Sequence, residues 1–178
     1  MLILVTGGSR SGKSGFALET AMRFKAPRVF LATAQAQDEE MRRRVEAHRR
    51  ARPADWSVVE EPREVPEALR AALARAGTVI IDCVTIWISN LILADQGFEE
   101  EDAAEQAEEL VQAANGGRSG VIVVTNEVGS GVVPDNVLAR RFRDCAGRAN
   151  QVLARAADEV HLMVSGISIA VKRGQEKA

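Results

Sequence analysis

The chain has 178 residues, enough for one domain with a real core and short for two. Hydrophobic residues make up 46%, charged residues 27% and aromatics 4%, with 5 Pro and 14 Gly, which excludes disordered, collagen-like and low-complexity classes. With 23 Lys and Arg against 25 Asp and Glu, the net charge of -2 gives no global attraction to nucleic acid or an anionic membrane, so an anionic ligand needs a local site.

The chain opens on Leu2-Ile3-Leu4-Val5, a continuous apolar run that reads as a strand buried on both faces. It lacks the basic flank and apolar length of a signal peptide, and no later run approaches the roughly 20 apolar residues of a membrane span. The run is closed by Thr6 and then Gly7-Gly8-Ser9-Arg10-Ser11-Gly12-Lys13-Ser14, a match to G-x-x-x-x-G-K-[ST] between a strand and a predicted helix over 12–24. Glycines let such a loop wrap so that backbone N–H groups and a helix N-terminus face phosphates. Lys13 is then placed for the β- and γ-phosphates, and the Ser14 hydroxyl for Mg²⁺.

A second strand is predicted over 28–33 and a helix over 38–51. That helix region carries Arg42, Arg43, Arg44, Arg49, Arg50 and Arg52 around His48, either a solvated face or an anion-binding lobe. Two readings fit His48. At i, i+4 and i+7 with Met41 and Val45 it lies on an amphipathic stripe. Among arginines it is also kept neutral and nucleophilic, able to form a phosphoramidate.

A helix over 62–75 leads to a strand over 78–82 that ends in Asp82, where a magnesium-orienting acid of a P-loop protein is expected; capping the next helix is the alternative. A helix over 99–114 carries seven acidic residues between Glu99 and Glu109, read as a solvated face. The strand over 120–125 ends in Thr125, and Asn126 and Glu127 follow either at the ligand edge or as ordinary loop residues. A helix over 135–157 has the stripe Leu138, Phe142, Cys145, Ala149, Val152 and Leu153, which makes Cys145 a core residue. His161 lies packed inside the last strand, over 159–164. Cys83 and Cys145 have no metal spacing, which fits reduced thiols in a cytoplasm. Strands alternating with helices predict a single α/β domain over 1–178 with a mostly parallel sheet, binding its ligand beyond the carboxyl ends of the strands.

The segments residues 6–14, Ala32-Thr33-Ala34, His48-Arg49-Arg50-Ala51-Arg52-Pro53 with Trp56, and Thr125-Asn126-Glu127-Val128-Gly129 closely resemble the bifunctional adenosylcobinamide kinase/adenosylcobinamide-phosphate guanylyltransferase family of cobalamin biosynthesis. The resemblance implies a RecA-like P-loop NTPase fold and two reactions: phosphorylation of adenosylcobinamide by ATP or GTP, then transfer of GMP from GTP through a guanylylated histidine. The matching histidine is His48. The resemblance carries nucleotide contacts to Gly7, Gly8, Ser9, Arg10, Ser11, Gly12, Lys13 and Ser14, to Leu31, Ala32 and Thr33, to Arg49, Arg50, Ala51 and Arg52, and to Glu60 and Asp82. It further implies Mg²⁺, a corrinoid partner and a homotrimer. The chain departs from some members in having one histidine in the His48 segment and Asp rather than Glu at position 82. A nucleotide-dependent switch is the rival from another class, against which stands the absence of N-K-x-D and D-x-x-G tetrapeptides at the required places.

Overall fold

The computed structural model describes residues 1–34, 56–115 and 119–174. Their sheet has seven strands: β1 (Leu2–Gly7), β2 (Arg28–Ala32), β3 (Trp56–Glu60), β4 (Thr78–Asp82), β5 (Gly120–Val124), β6 (Glu159–Val164) and β7 (Ile167–Lys172). Their order is β3-β2-β4-β5-β1-β6-β7, and every pairing is parallel except β6 with β7. The described helices are α1 (Lys13–Ala21), α2 (Val65–Leu73), α3 (Val84–Ala94), α4 (Glu100–Ala114) and α5 (Val137–Ala156). This is the mostly parallel α/β sheet expected from the alternating pattern, consistent with the P-loop NTPase fold that the resemblance implies, with β5 interposed between the P-loop strand β1 and the Asp82 strand β4.

Period-two alternation divides each apolar strand between two cores. Leu2 and Leu4 face α2–α5 through Leu69, Trp87, Leu110 and Leu153, whereas Ile3 and Val5 face α1 through Ala17 and Ala21. With helices on both faces, both side-chain rows of the central strands must be apolar, which is why these runs do not alternate in sequence.

The helix over 62–75 begins at Val65 instead, because the Glu61 carboxylate accepts the backbone N–H groups of Arg63 and Glu64, each at 3.0 Å, and holds them in a turn. Leu138, placed on the apolar stripe of α5, is 44% exposed, while Cys145, Ala149 and Leu153 are buried as the stripe requires. The acidic face of α4 points to solvent, and a reciprocal cap between Glu99 and Asp102 closes its first turn. Helix α3 was not predicted. Its sequence VTIWISNLILA is apolar nearly all round and rich in β-branched residues, so it has no polar face to reveal a helical period. Strand β7 does carry a signal: Ile167, Ile169 and Val171 alternate with smaller or polar residues after a Ser165-Gly166 turn whose φ values are 50° and 87°.

Candidate active site

The loop between β1 and α1 is held in a conformation that only its glycines allow. Gly7 has φ 149° and a Cβ there would stand 2.5 Å from the Met163 carbonyl; Gly12, the α1 N-cap, has φ 94°. Arg10 also adopts a positive φ of 56°. The tip of the β6–β7 hairpin braces the loop from outside, its Gly166 N–H donating to the Ser11 carbonyl at 2.9 Å. Lys13 is buried, and its Nζ donates to the Gly8 carbonyl at 2.6 Å and to Ser11 Oγ at 3.4 Å. Burial lowers its pKa from the ordinary lysine value, with Cys83 and Asp82 acting in the opposite sense.

Across the loop, Ser14 Oγ donates to Asp82 Oδ2 at 2.8 Å. The two residues are 68 positions apart and meet because α1, which begins just past the carboxyl end of β1, packs against β4 and β5. A hydroxyl beside a carboxylate is a hard-oxygen donor pair that fits Mg²⁺, which takes one or two protein ligands together with substrate phosphates. The pair borders a cleft of about 520 Å³, lined by residues 9–15, Asp82, Cys83, Val124 and Asn126. Cys83 is no nucleophile in this cleft: burial, followed by the neighbouring Asp82 carboxylate, pushes its thiol up to about 12.

Strand register puts Glu60, Ala32, Asp82, Val124 and Val5 in one row across the sheet. Glu60 therefore lies four strand spacings, about 19 Å, from the P-loop strand, and Asp82 about 10 Å from it. Leu31 and Thr33 are wholly buried, and Ala32 is 9% exposed. The Thr33 hydroxyl donates to the Cys83 carbonyl and accepts from the Cys83 N–H, both at 2.8 Å, so it ties the end of β2 to the residue after Asp82. Asn90 of α3 locks the same corner by donating to the Thr33 and Pro62 carbonyls at 2.9 and 3.0 Å. His48, Arg49, Arg50, Ala51 and Arg52, with the helix predicted over 38–51, lie outside the described residues.

After β5, Asn126 and Glu127 diverge to two sides of the loop. Asn126 lines the nucleotide-sized cleft and is fixed through Thr85 Oγ1, which accepts from its backbone N–H at 2.9 Å and its Nδ2 at 3.2 Å. Thr125 is buried and donates to Asn150 Oδ1 at 2.7 Å, while Asn150 returns a bond to the Asn126 carbonyl at 3.1 Å. Sequence reading did not single out Thr85, Asn90 or Asn150. The available signal was their polarity at buried helical positions, which is visible only once the helices are placed. Glu127 turns the other way: its N–H donates to the Gly7 carbonyl at 3.2 Å and its Oε1 accepts from Thr6 at 2.9 Å. It lines a second groove of about 770 Å³ on the β6 side of the loop. His161 is the packed strand residue expected, its ring 5.0 Å from that of Phe16 and its Nε2 3.0 Å from Glu159.

Comparison with known proteins agrees with this geometry. Residues 3–171 match the family described as cobinamide kinase / cobinamide phosphate guanyltransferase. The bifunctional adenosylcobalamin biosynthesis protein CobU of Escherichia coli (strain K12) is 43% identical over 182 residues, covering 97% of this chain and 100% of the relative. CobU of Salmonella typhimurium (strain LT2) is also 43% identical, over 97% of this chain and 100% of its own length. The protein CobP of Pseudomonas aeruginosa (strain PAO1), with the same description, is 37% identical over 95% of this chain and 96% of its own. With a P-loop, an opposed serine–aspartate pair and this match along nearly the whole chain, the protein belongs to the cobinamide kinase / cobinamide phosphate guanyltransferase family of bifunctional enzymes.

Proposed function

We propose that this chain, acting as a single catalytic domain, phosphorylates the aminopropanol hydroxyl of adenosylcobinamide with ATP or GTP and then transfers GMP from GTP to the new phosphate, giving adenosylcobinamide-GDP. The observation that carries the reading is the Ser14–Asp82 contact of 2.8 Å opposite Lys13 at the carboxyl ends of β1 and β4. A triphosphate laid along residues 7–14 meets backbone N–H groups, the α1 N-terminus and the Lys13 ammonium, so the charge that develops on the leaving group is met by positioned donors. Ser14 and Asp82 would hold Mg²⁺, which when bound neutralises charge on the phosphate oxygens. Ala32 and Glu60 continue the same strand-end row away from the loop and form the wall along which the nucleoside extends, with the buried Thr33 holding that strand end in place.

For the second reaction we assign His48 as the nucleophile. A ring nitrogen attacks the α-phosphorus of GTP, the bond to the β-phosphate oxygen breaks, and pyrophosphate leaves with the electron pair. An oxygen of adenosylcobinamide phosphate then attacks the phosphoramidate phosphorus and imidazole is released. Arg49, Arg50 and Arg52 neutralise the phosphates during both displacements. The test is to incubate the full chain and Mg²⁺ with GTP labelled at the α- or the γ-phosphate, without acceptor, beside His48→Ala. Acid-labile, alkali-resistant α-label that is absent from the variant is expected. No α-label, with cobinamide still gaining γ-phosphate, would reduce the reading to a kinase.

We further propose a cytoplasmic homotrimer. Both cysteines are free thiols, and Ile167, Ile169 and Val171 expose apolar surface on β7 of the kind a subunit contact covers. Light scattering coupled to gel filtration checks the mass. No described helix is long and apolar enough to cross a membrane.

A further inference from the structure

The groove on the β6 side of the P-loop borders the phosphate loop at Gly8–Ser11, but its Glu127 and its β6–β7 wall have no part in holding the nucleotide as described above. We propose that Glu127 is the base that accepts the proton of the substrate alcohol in phosphoryl transfer, and that this groove seats the arm carrying that alcohol. The inference rests on the kinase reading above and assigns the residue that reading lacks.

Three observations converge. The first locates the γ-phosphate. A P-loop lysine reaches the β- and γ-phosphates, and Lys13 Nζ lies 2.6 Å from the Gly8 carbonyl, so the terminal phosphate belongs beside Gly8. Gly8 lines the groove, which shares Ser9, Arg10 and Ser11 with the nucleotide cleft. The two cavities are therefore the two sides of one loop, and the groove opens at its γ end.

The second observation concerns the acid itself. Glu127 is fixed next to Gly8 by its own N–H on the Gly7 carbonyl at 3.2 Å and by Thr6, whose hydroxyl donates to Oε1 at 2.9 Å. Thr6 is buried, so this anchor is rigid. Oε2 has no hydrogen-bond partner among the described residues, and Glu127 is exposed to the groove. One oxygen is thus oriented while the other is available to a substrate O–H.

The third is elimination by chemistry. Among the described residues Arg10 is the other ionisable residue lining the groove, and a guanidinium cannot accept a proton. Asp82 stands on the opposite side and already accepts from Ser14. The remaining wall is largely aliphatic, with Leu4, Leu162, Val164 and Val171. Such a wall suits the hydrocarbon part of an amino-alcohol arm.

In the step, the substrate oxygen forms a bond to the γ-phosphorus and the bond from phosphorus to the β–γ bridging oxygen breaks. The nucleoside diphosphate leaves with that electron pair, and the alcohol proton passes to Glu127 Oε2 and from there to solvent. Guanylyl transfer to a phosphate acceptor has no such proton to remove, so the two half-reactions separate the role.

The experiment assays the full chain in both half-reactions, cobinamide with γ-labelled ATP or GTP and cobinamide phosphate with α-labelled GTP, for the parent, Glu127→Gln and Glu127→Asp. Gln keeps the size and the acceptor for Thr6 but cannot take the proton. Kinase kcat should fall roughly 10²- to 10⁴-fold in Glu127→Gln, with the nucleotide KM little changed and partial recovery in Glu127→Asp. Guanylyl transfer should stay within about threefold of the parent, less than half a decade of barrier change. In the groove, Val164→Glu should raise the cobinamide KM about tenfold and leave the nucleotide KM alone. A Glu127→Gln kinase rate within about threefold of the parent overturns the assignment. So does an equal loss of both half-reactions with a lowered melting temperature, which would make Glu127 a scaffold for the loop. A parent with no γ-transfer at all sinks the kinase reading and this inference together, an outcome distinct from an active parent with an active Gln variant.

Discussion

Replacing Thr33 with Val removes a single hydroxyl from the junction of β2 and β4. That hydroxyl is fully buried and satisfies both backbone groups of Cys83 at 2.8 Å. Val nearly matches threonine in volume, so the change opens no cavity, but it leaves the buried Cys83 N–H without its partner, while the Cys83 carbonyl keeps the Trp87 N–H at 3.1 Å. The unpaired N–H costs about 1–3 kcal/mol, partly offset because the hydroxyl no longer has to be desolvated, which gives a net loss of about 1–2 kcal/mol. At roughly 2–4 °C per kcal/mol for a domain of this size, the melting temperature should fall by about 2–8 °C. Thermal melts without nucleotide, followed by circular dichroism, measure this directly, and nucleotide KM is measured in parallel below the melting range. Activity should fall modestly through displacement of Asp82, the residue before Cys83. A melt within about 1 °C of the parent together with a raised nucleotide KM would refute the reasoning, because the hydroxyl would then serve the nucleotide and not Cys83.

Two further outcomes follow from the same coordinates. Gly7→Ala should be severe, since its Cβ would stand 2.5 Å from the Met163 carbonyl at φ 149°, whereas a Cβ on Gly8 meets nothing within 4 Å. Nucleotide-free melts should therefore show a drop for Gly7→Ala and a change within about 0.5 kcal/mol for Gly8→Ala, and equal drops would contradict the loop geometry. Glu159 is held at a pKa of about 2 chiefly by the Arg23 guanidinium, which donates to both carboxylate oxygens at 2.8 and 3.0 Å, with His161 adding to it. Its folded pKa lies below the ordinary value of 4.5, so its contribution is fully present above that pH and is lost as pH falls towards about 2. The stability gap between the parent and Glu159→Gln should be constant near neutrality and shrink between about pH 5 and 2; a gap that ignores pH would refute the pairing.

Much of the nucleotide site was legible because its chemistry is local. Gly7 to Ser14 lie within eight consecutive positions, and the strand before them and the helix after them are written in the same stretch of chain. Asp82 is marked by a weaker rule, an acid at the end of an apolar run, and its carboxylate lies 2.8 Å from the Ser14 hydroxyl. Asn126 and Glu127 were marked as strand-end residues, but one-dimensional order could not say that neighbours in the chain turn into different cavities. Thr33 shows the reverse limit. A polar residue at a strand end reads as ligand-facing, yet it is the parallel neighbour β4 that claims its hydroxyl.

By itself, then, the sequence determined five of the seven described strands and the helices that show a helical period, and it marked residues 7–14 as the expected phosphate loop. Those properties depend on side-chain alternation and on the backbone freedom of glycine over a few residues. Tertiary structure alone decided the strand order, the extent of the apolar helix α3, the antiparallel pairing by which β7 and its turn brace the P-loop, and the placement of Glu127 beside Gly8. Each arises from contacts between residues far apart in the chain, as with Thr6 and Glu127, 121 positions apart. No local pattern encodes such a pairing, because it exists only after the sheet has brought β1 and β5 side by side.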